Sequence, residues 1–290
     1  MLFTLACFSF LYITYYKRKR VLGWVLFTFV LNLWFLQQPT HDRDWVDYQE
    51  KLPLVTINEN HIHIQNVRHD LRYLTDGKLE WLHESYNLNQ LNEVHFALVT
   101  FTEWQGLAHL FLSFNFNDEK FLSISGEIRR EKDENYSPFK GLFRNYEKMI
   151  VLGTEKDLIG LRIFQHKDPV NFYPLNMSND NSKALLLSLL KDCQSIQQSP
   201  RFYNTLTQNC ATLIKNHLEK VYQEKHPFDL RLIFPGFADE IGVDHKLIKT
   251  NNSIDQMRKS FLINDLAETH LSGNAWSLKI RQLSFTLREN

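Results

Sequence analysis

Between Val94 and Arg130 apolar residues recur at every second position, and that period constrains the fold more than any other feature of the chain. Val94–Phe101 reads as a strand, Trp104-Gln105-Gly106 as a turn and Ala108–Phe116 as the next strand. Successive strand side chains point to opposite faces, so Ala108, Leu110, Leu112, Phe114 and Phe116 share one face, with His109, Phe111, Ser113 and Asn115 on the other. After a turn at Asn117-Asp118-Glu119-Lys120, Phe121–Arg130 repeats the division: Leu122, Ile124, Gly126 and Ile128 alternate with Ser123, Ser125, Glu127 and Arg129. An antiparallel sheet with one polar row is the expected result. In such a row Glu127 would sit beside His109 and orient it; an ordinary solvated strand face is the alternative.

The second informative stretch runs from Phe202 to Leu218, where polar residues give way to a helical repeat at Asn209-Cys210. Cys210 then occupies the first turn of a helix, where unpaired N–H groups and the helix dipole favour a thiolate. With His109 as base, Cys210 is the candidate nucleophile and Glu127 the third member of the set. Its backbone N–H is an oxyanion donor in waiting. Asn209 is either a side-chain donor to substrate or a helix cap. Arg68 and Arg129 are candidates for holding an anionic substrate group by bidentate bonds, with structural ion pairs as the other reading.

Residues 1 to 36 stand apart from this domain. They are almost wholly apolar except for Lys17-Arg18-Lys19-Arg20, which divides Met1–Tyr16 from Val21–Leu36. Two short membrane helices forming a hairpin are expected, with the basic tetrapeptide in the cytoplasm and residues 37–290 exported as one domain. A cleaved signal peptide is the alternative, although Gln37-Gln38-Pro39-Thr40 offers no small-residue cleavage site.

Formal net charge is zero with both signs interspersed, which argues against a nucleic-acid partner. The three cysteines, Cys7, Cys193 and Cys210, make no disulfide framework, though Cys193 and Cys210 are able to pair in an oxidising compartment. Their spacing has no metal signature, and no cofactor is implied. His61 and His63 share a face of the alternating segment His61–Arg68, where a solvated or hydrogen-bonded pair is favoured over metal ligation. Further on, Leu142–Lys148 reads as a short helix, Met149–Gly153, Leu158–Phe164 and Asn171–Leu175 as strands, and Ser182–Ser195 as a helix packed beside the one bearing Cys210.

Ordered blocks of these residues resemble the Lnb N-terminal periplasmic domain family of bacterial inner-membrane proteins, which includes lipoprotein N-acyltransferases. The blocks are Asp42-Arg43-Asp44-Trp45, Asn66-Val67-Arg68 with Tyr73 and Asp76, Ala108-His109 through Ser113-Phe114, Ser125-Gly126-Glu127-Ile128-Arg129, Tyr136-Ser137, Phe143-Arg144-Asn145-Tyr146-Glu147, Glu155-Lys156-Asp157 followed by Leu161-Arg162, and Tyr203-Asn204-Thr205-Leu206-Thr207-Gln208-Asn209-Cys210. They lie between about Pro39 and His217; the C-terminal extension 236–290 matches weakly. The order histidine, carboxylate, cysteine is also similar to that of permuted papain-like folds, among them lecithin:retinol acyltransferase and some cell-wall peptidases.

The resemblance implies an α+β fold: a transmembrane helical hairpin followed by a permuted papain-like domain with an antiparallel sheet and packed helices. It implies acyl transfer through a Cys210 thioester, from a phospholipid donor to the α-amino group of a diacylated lipoprotein acceptor. The setting is the bacterial inner membrane with the domain facing the periplasm. A papain-like peptidase acting on cell-wall peptides, and a noncatalytic membrane-tethered binding module with an inert Cys210, are the alternatives.

Overall fold

The computed structural model describes residues 20–101, 104–227, 229–270 and 273–282. Its centre is an eight-stranded sheet built from the alternating segments: β1 Leu54–Asn58, β2 His61–Asp70, β3 Leu79–Asn87, β4 Leu91–Thr100, β5 Ala108–Phe116, β6 Lys120–Arg129, β7 Glu147–Gly153 and β8 Val170–Pro174. Spatial order is β1-β2-β7-β6-β5-β4-β8, with β3 also paired to β2. All pairings are antiparallel except that of β2 with β7, which meet at Arg68 and Gly153. A bulge between Gln65 and Val67, with Asn66 at φ 63°, marks where β1 leaves β2 and β7 takes over.

Each face of this sheet buries an apolar layer. One carries Phe96, Leu98, Leu110, Leu112, Phe114, Leu122, Ile124, Ile150 and Leu152 against two helices of the same side. With α1 kept for the N-terminal helix Arg20–Leu36 and α2 for Glu155–Gly160, these are α3 (Asn179–Gln198) and α4 (Cys210–Tyr222). They contribute Leu185, Leu186, Leu189, Leu190, Ala211, Leu213 and Ile214. Ser188 Oγ and His217 Nδ1 join them at 2.7 Å. The other face packs Ala97, Val99, Phe111, Met149, Val151 and Phe172 against Leu158, Ile159, Ile163, Trp276 and Ile280. The polar row of β5 and β6 lies in this second layer: Ser113, Asn115, Ser123, Ser125 and Arg129 are buried, while His109 and Glu127 are half-buried.

Burial of that row has a structural solution in the C-terminal region. Small helices α5 (Ala238–Asp244), α6 (Ile254–Ser260) and α7 (Gly273–Lys279) follow α4. Just past α7, Arg281 is fully buried and clamps Glu155 with Nη1–Oε2 at 2.8 Å and Nη2–Oε1 at 2.5 Å. Ser113 of the polar row donates to the same carboxylate. The extension is thus part of the core.

Two local expectations differ from the structure. Leu158–Phe164 is not a strand: Thr154 caps α2 by accepting from the Asp157 N–H, and the chain continues through a wide helical turn at Leu161–His166. The apolar run Leu158, Ile159, Ile163 fits a helix face as readily as a strand, and the cap decides. Nor is Leu142–Lys148 a helix, since a single tight turn at Lys140–Leu142 leads to Arg144 at φ 53° and into β7. β2, β4 to β8, α3 and α4 otherwise fall where the periodicity puts them, whereas β1 and β3 were not read from the sequence.

The membrane hairpin stays an expectation. Met1–Tyr16 lies outside the described residues, and the second segment forms α1, a 17-residue helix whose side chains are largely exposed. At 1.5 Å per residue it extends about 26 Å, against a hydrocarbon core of about 30 Å. Among the described residues, no helix is long and apolar enough to cross a membrane.

Candidate active site

The β5–β6 ladder runs from Phe111↔Ser125 to Phe116↔Lys120 and stops there, although β5 begins at Ala108 and β6 continues to Arg129 alongside β7. The sheet therefore parts at one end, and the start of α4 fills the parting. Gly126 permits the approach: a Cβ there would lie 2.6 Å from Leu213 Cδ2, one turn along α4 from Cys210. Cys210 Sγ receives the backbone N–H groups of Leu110, Ala211 and Cys210 itself. The thiol thus lies against the residue that follows His109 in β5.

His109 occupies the polar row. Its Nε2 is 2.7 Å from Ser125 Oγ, and Ser125 in turn bonds the Glu127 carboxylate. Gln49 Nε2 donates to Glu127 Oε2 at 3.4 Å, and Arg68 Nη1 is 3.8 Å away. The histidine and carboxylate read from the sequence are therefore linked, but through a hydroxyl. With Nε2–H donating to Ser125 and Ser125 donating to Glu127, Nδ1 is left as the basic nitrogen.

Electrostatics of the pair differ from the sequence expectation. Burial raises the Cys210 thiol to about 11, despite the three N–H groups and Arg162 that favour its anion. Burial also lowers the His109 imidazole to about 4, aided by Arg162 and opposed by Glu127. Helix-start donors are worth less here than the loss of water around sulfur. The resting pair is a neutral thiol and a neutral imidazole, not a thiolate–imidazolium pair.

Asn209 is the cap of α4, its Oδ1 accepting from Thr212 N at 2.8 Å. Its Nδ2 donates to Thr205 O at 2.9 Å and Leu232 O at 3.3 Å, so the amide is spent on protein carbonyls. Arg68 is buried and grips Asp157 through Nε at 2.9 Å and Nη2 at 3.0 Å. Arg129 is buried too, donating to Gln49 O at 2.9 Å and Glu50 O at 2.5 Å and lying 4.3 Å from the Trp45 ring centre. Both guanidiniums, considered above for an anionic substrate group, serve protein partners in this structure.

Sequence reasoning assigned no role to four groups that surround the site. Arg162, on the helical turn after α2, interacts electrostatically with Cys210, Glu127 and His109, while its Nη1 is 3.8 Å from Asp168 and its guanidinium 5.2 Å from the Phe101 ring centre. Reading 158–164 as a strand concealed it. Ser125 was one residue of a polar row with nothing to distinguish it. Tyr136 and Tyr203 are hydrogen-bonded to each other, and burial, with the neighbouring Cys210 sulfur second, holds both phenols above their ordinary range. These tyrosines sit inside the resembling blocks, but their mutual contact depends on loops that sequence period does not describe.

Cys193 and Cys210 are both free and buried, so the disulfide alternative does not apply. His63 is exposed and bonds Ser85 Oγ at 2.8 Å, as a hydrogen-bonded strand residue. Among the described residues, no group of three or more His, Cys, Asp or Glu is placed to hold a metal ion.

Comparison with curated proteins and with solved structures returns no match. The family described as the Lnb N-terminal periplasmic domain matches residues 78–236, more than half of the chain, including β5, β6, the turn bearing Arg162 and the start of α4. The matched segment contains Cys210, His109 and Glu127, and its description makes this a periplasm-facing domain. The chain therefore belongs to the Lnb N-terminal periplasmic domain family.

Proposed function

We propose that this protein is a thiol acyltransferase that takes a fatty acyl group from a phospholipid onto Cys210 and passes it to the α-amino group of a diacylated lipoprotein. The observation that carries the reading is the thiol at the start of α4, set against the Leu110 N–H beside a histidine that Ser125 and Glu127 orient. The order histidine, carboxylate, cysteine on a sheet-and-helix frame is also that of permuted papain-like enzymes, which supports the same chemistry by analogy of fold.

In the first half-reaction Cys210 Sγ attacks the ester carbonyl while His109 Nδ1 takes the thiol proton. The carbonyl oxygen becomes an oxyanion, and the Cys210 and Leu110 N–H groups, which face the sulfur at rest, are its donors. Collapse breaks the ester C–O bond, and the imidazolium returns its proton to the departing lysophospholipid oxygen. In the second half-reaction the neutral amine attacks the thioester, His109 accepts the proton released from the nitrogen at the tetrahedral stage, and as the C–S bond breaks it passes that proton to sulfur, which leaves as the thiol. Neutral Cys210 and His109 suit a proton transfer concurrent with attack, because their pKa values of about 11 and about 4 make a preformed ion pair costly. That gap corresponds to roughly 10 kcal/mol. The Arg162 guanidinium favours negative charge on Cys210, and Arg68 lies 3.8 Å from Glu127.

The test is intact-mass analysis of the detergent-purified full chain and its Cys210→Ser variant after incubation with phospholipid and a diacylated lipopeptide. Wild type is expected to gain a fatty-acyl mass on Cys210 and to form N-acylated lipopeptide, and Cys210→Ser to do neither. A folded wild type with no adduct and no product overturns the proposal; cleavage of cell-wall peptides in a parallel reaction would reassign the same residues to hydrolysis.

A further inference from the structure

Asn209 is tied, through Thr205 in one case and Leu232 in the other, to two loops that carry exposed aromatic residues. In one direction Asn209 Nδ2 donates to Thr205 O, Thr205 Oγ1 donates to Pro138 O at 2.7 Å, and Thr205 N donates to Gly141 O at 3.2 Å. Phe139 of that loop is 60 % exposed and Tyr136 50 %. In the other direction Asn209 Nδ2 donates to Leu232 O, and Gly236 N donates to Gly106 O at 3.4 Å while Gln105 Nε2 donates to Gly236 O at 3.0 Å. There Phe234, 40 % exposed, packs edge-on against the exposed Trp104 ring at 5.3 Å.

The first loop is fastened to the end of α1. Trp34 Nε1 donates to Phe143 O at 3.2 Å, and Arg144 Nη1 donates to Phe35 O at 3.4 Å. The Arg144 guanidinium lies 4.7 Å from the Trp34 ring centre and 5.4 Å from that of Phe35. A tryptophan and an arginine at the end of an apolar helix are the side chains that settle where hydrocarbon meets headgroups. Along α1 itself Val21, Trp24, Val25, Phe29, Leu33 and Leu36 are each more than half exposed, and Thr28 and Asn32 turn their polar atoms back onto helix carbonyls. Only an apolar medium covers such a helix without leaving polar groups unpaired.

We propose that the two aromatic loops flanking the Cys210 site, marked by Phe139 and Phe234, form a contact surface for a phospholipid bilayer that is continuous with α1. The occupant follows from that continuity: the helix whose uncovered apolar surface needs hydrocarbon is hydrogen-bonded to the loop carrying Phe139. The thiol's entrance is then held at the membrane surface, so a lipid-borne group reaches it without leaving the bilayer.

The test uses the full chain reconstituted in phosphatidylethanolamine–phosphatidylglycerol vesicles, with p-benzoylphenylalanine replacing Phe139, Phe234 or, as controls, Tyr222 and Leu54. The controls are exposed to a similar extent, Tyr222 by 40 % at the far end of α4 and Leu54 by 40 % on the edge strand β1. Irradiation is expected to give phospholipid-mass adducts at positions 139 and 234 in several-fold excess over both controls. Equal yields at all positions, or crosslinks at 139 and 234 to a second protein copy in place of lipid, overturn the proposal. Repeating the labelling in the Cys210→Ser background separates this outcome from acyl transfer, because bilayer contact needs no thiol.

Discussion

Alkylation of Cys210 as a function of pH measures directly how far burial outweighs the helix start. With Cys7 and Cys193 replaced by serine, the full chain presents one thiol, and its reaction with iodoacetamide is followed by intact mass. At pH 8 a free thiol of pKa about 8.5 is roughly one quarter thiolate. A thiol raised to about 11 is roughly one part in a thousand thiolate at that pH. The population ratio is thus about 240 against Cys210, but a more basic thiolate is the better nucleophile. With a Brønsted coefficient of about 0.45, a pKa difference of about 2.5 returns roughly a factor of 13.

The expected rate at pH 8 is therefore about twentyfold below that of a free cysteine before any steric protection. It should climb about tenfold per pH unit through pH 10, where a free thiol has already reached its plateau. Arg162→Ala should lower the rate further at every pH below 10, since it removes a cation that favours the sulfur anion. Circular dichroism across the same range shows that the chain stays folded. A plateau below pH 8 would refute the reasoning, because it would mean that the three N–H groups and Arg162 overcome desolvation.

Acid stability should carry a His109 signature: its folded pKa of about 4 lies below the ordinary 6.5, so its contribution is fully present above pH 6.5 and is lost as pH falls through 4. The size is about 3 kcal/mol, and His109→Gln should flatten the urea-derived stability between pH 6.5 and 4 by that amount. Arg281→Met should cost about 3–5 kcal/mol in chemical denaturation by leaving Glu155 buried without its guanidinium, and Glu155→Leu in the same chain should restore most of it. Gly236→Ala would place a Cβ 1.5 Å from Gln105 O and force the two backbones apart. It should accelerate Cys210 alkylation by loosening one wall of the site, while Gly242→Ala, whose nearest contact is the flexible tip of Ile248 at 2.8 Å, should leave that rate unchanged.

Period and residue type carried much of this molecule. The alternation from Val94 to Arg130 yields β4, β5 and β6 with the expected facing, and the polar-to-apolar change at Asn209 yields the cap and start of α4. What escaped was set by long-range burial. Ser113, Ser123 and Ser125 look like a wet strand face until Glu155 and Arg281, brought from distant parts of the chain, cover it. Burial of Cys210 between the sheet and its helices reversed the expected direction of its shift, because a helix start favours a thiolate only to the extent that water or donors replace its lost hydration. Arg162 was hidden for a local reason: an apolar run of Leu158, Ile159 and Ile163 has no period of its own, and Thr154 chose helix.

A buried, protonated thiol is ordinarily the mark of a structural cysteine, and Cys193 supplies the comparison within this protein. Burial likewise raises its thiol, to about 12, but its only charged neighbour of consequence is Asp192, which disfavours a thiolate further. Cys210 differs in every group that faces it: three backbone N–H donors and the Arg162 guanidinium all favour sulfur bearing charge, and the next residue along β5 from His109 supplies one of those donors. Packing alone gives no reason to collect anion-stabilising groups around a neutral sulfur. Under the acyl transfer proposed above they acquire a purpose, because negative charge would then develop on sulfur as the proton leaves and next on the carbonyl oxygen it attacks, and the groups around Cys210 suit that reacting state better than the resting one.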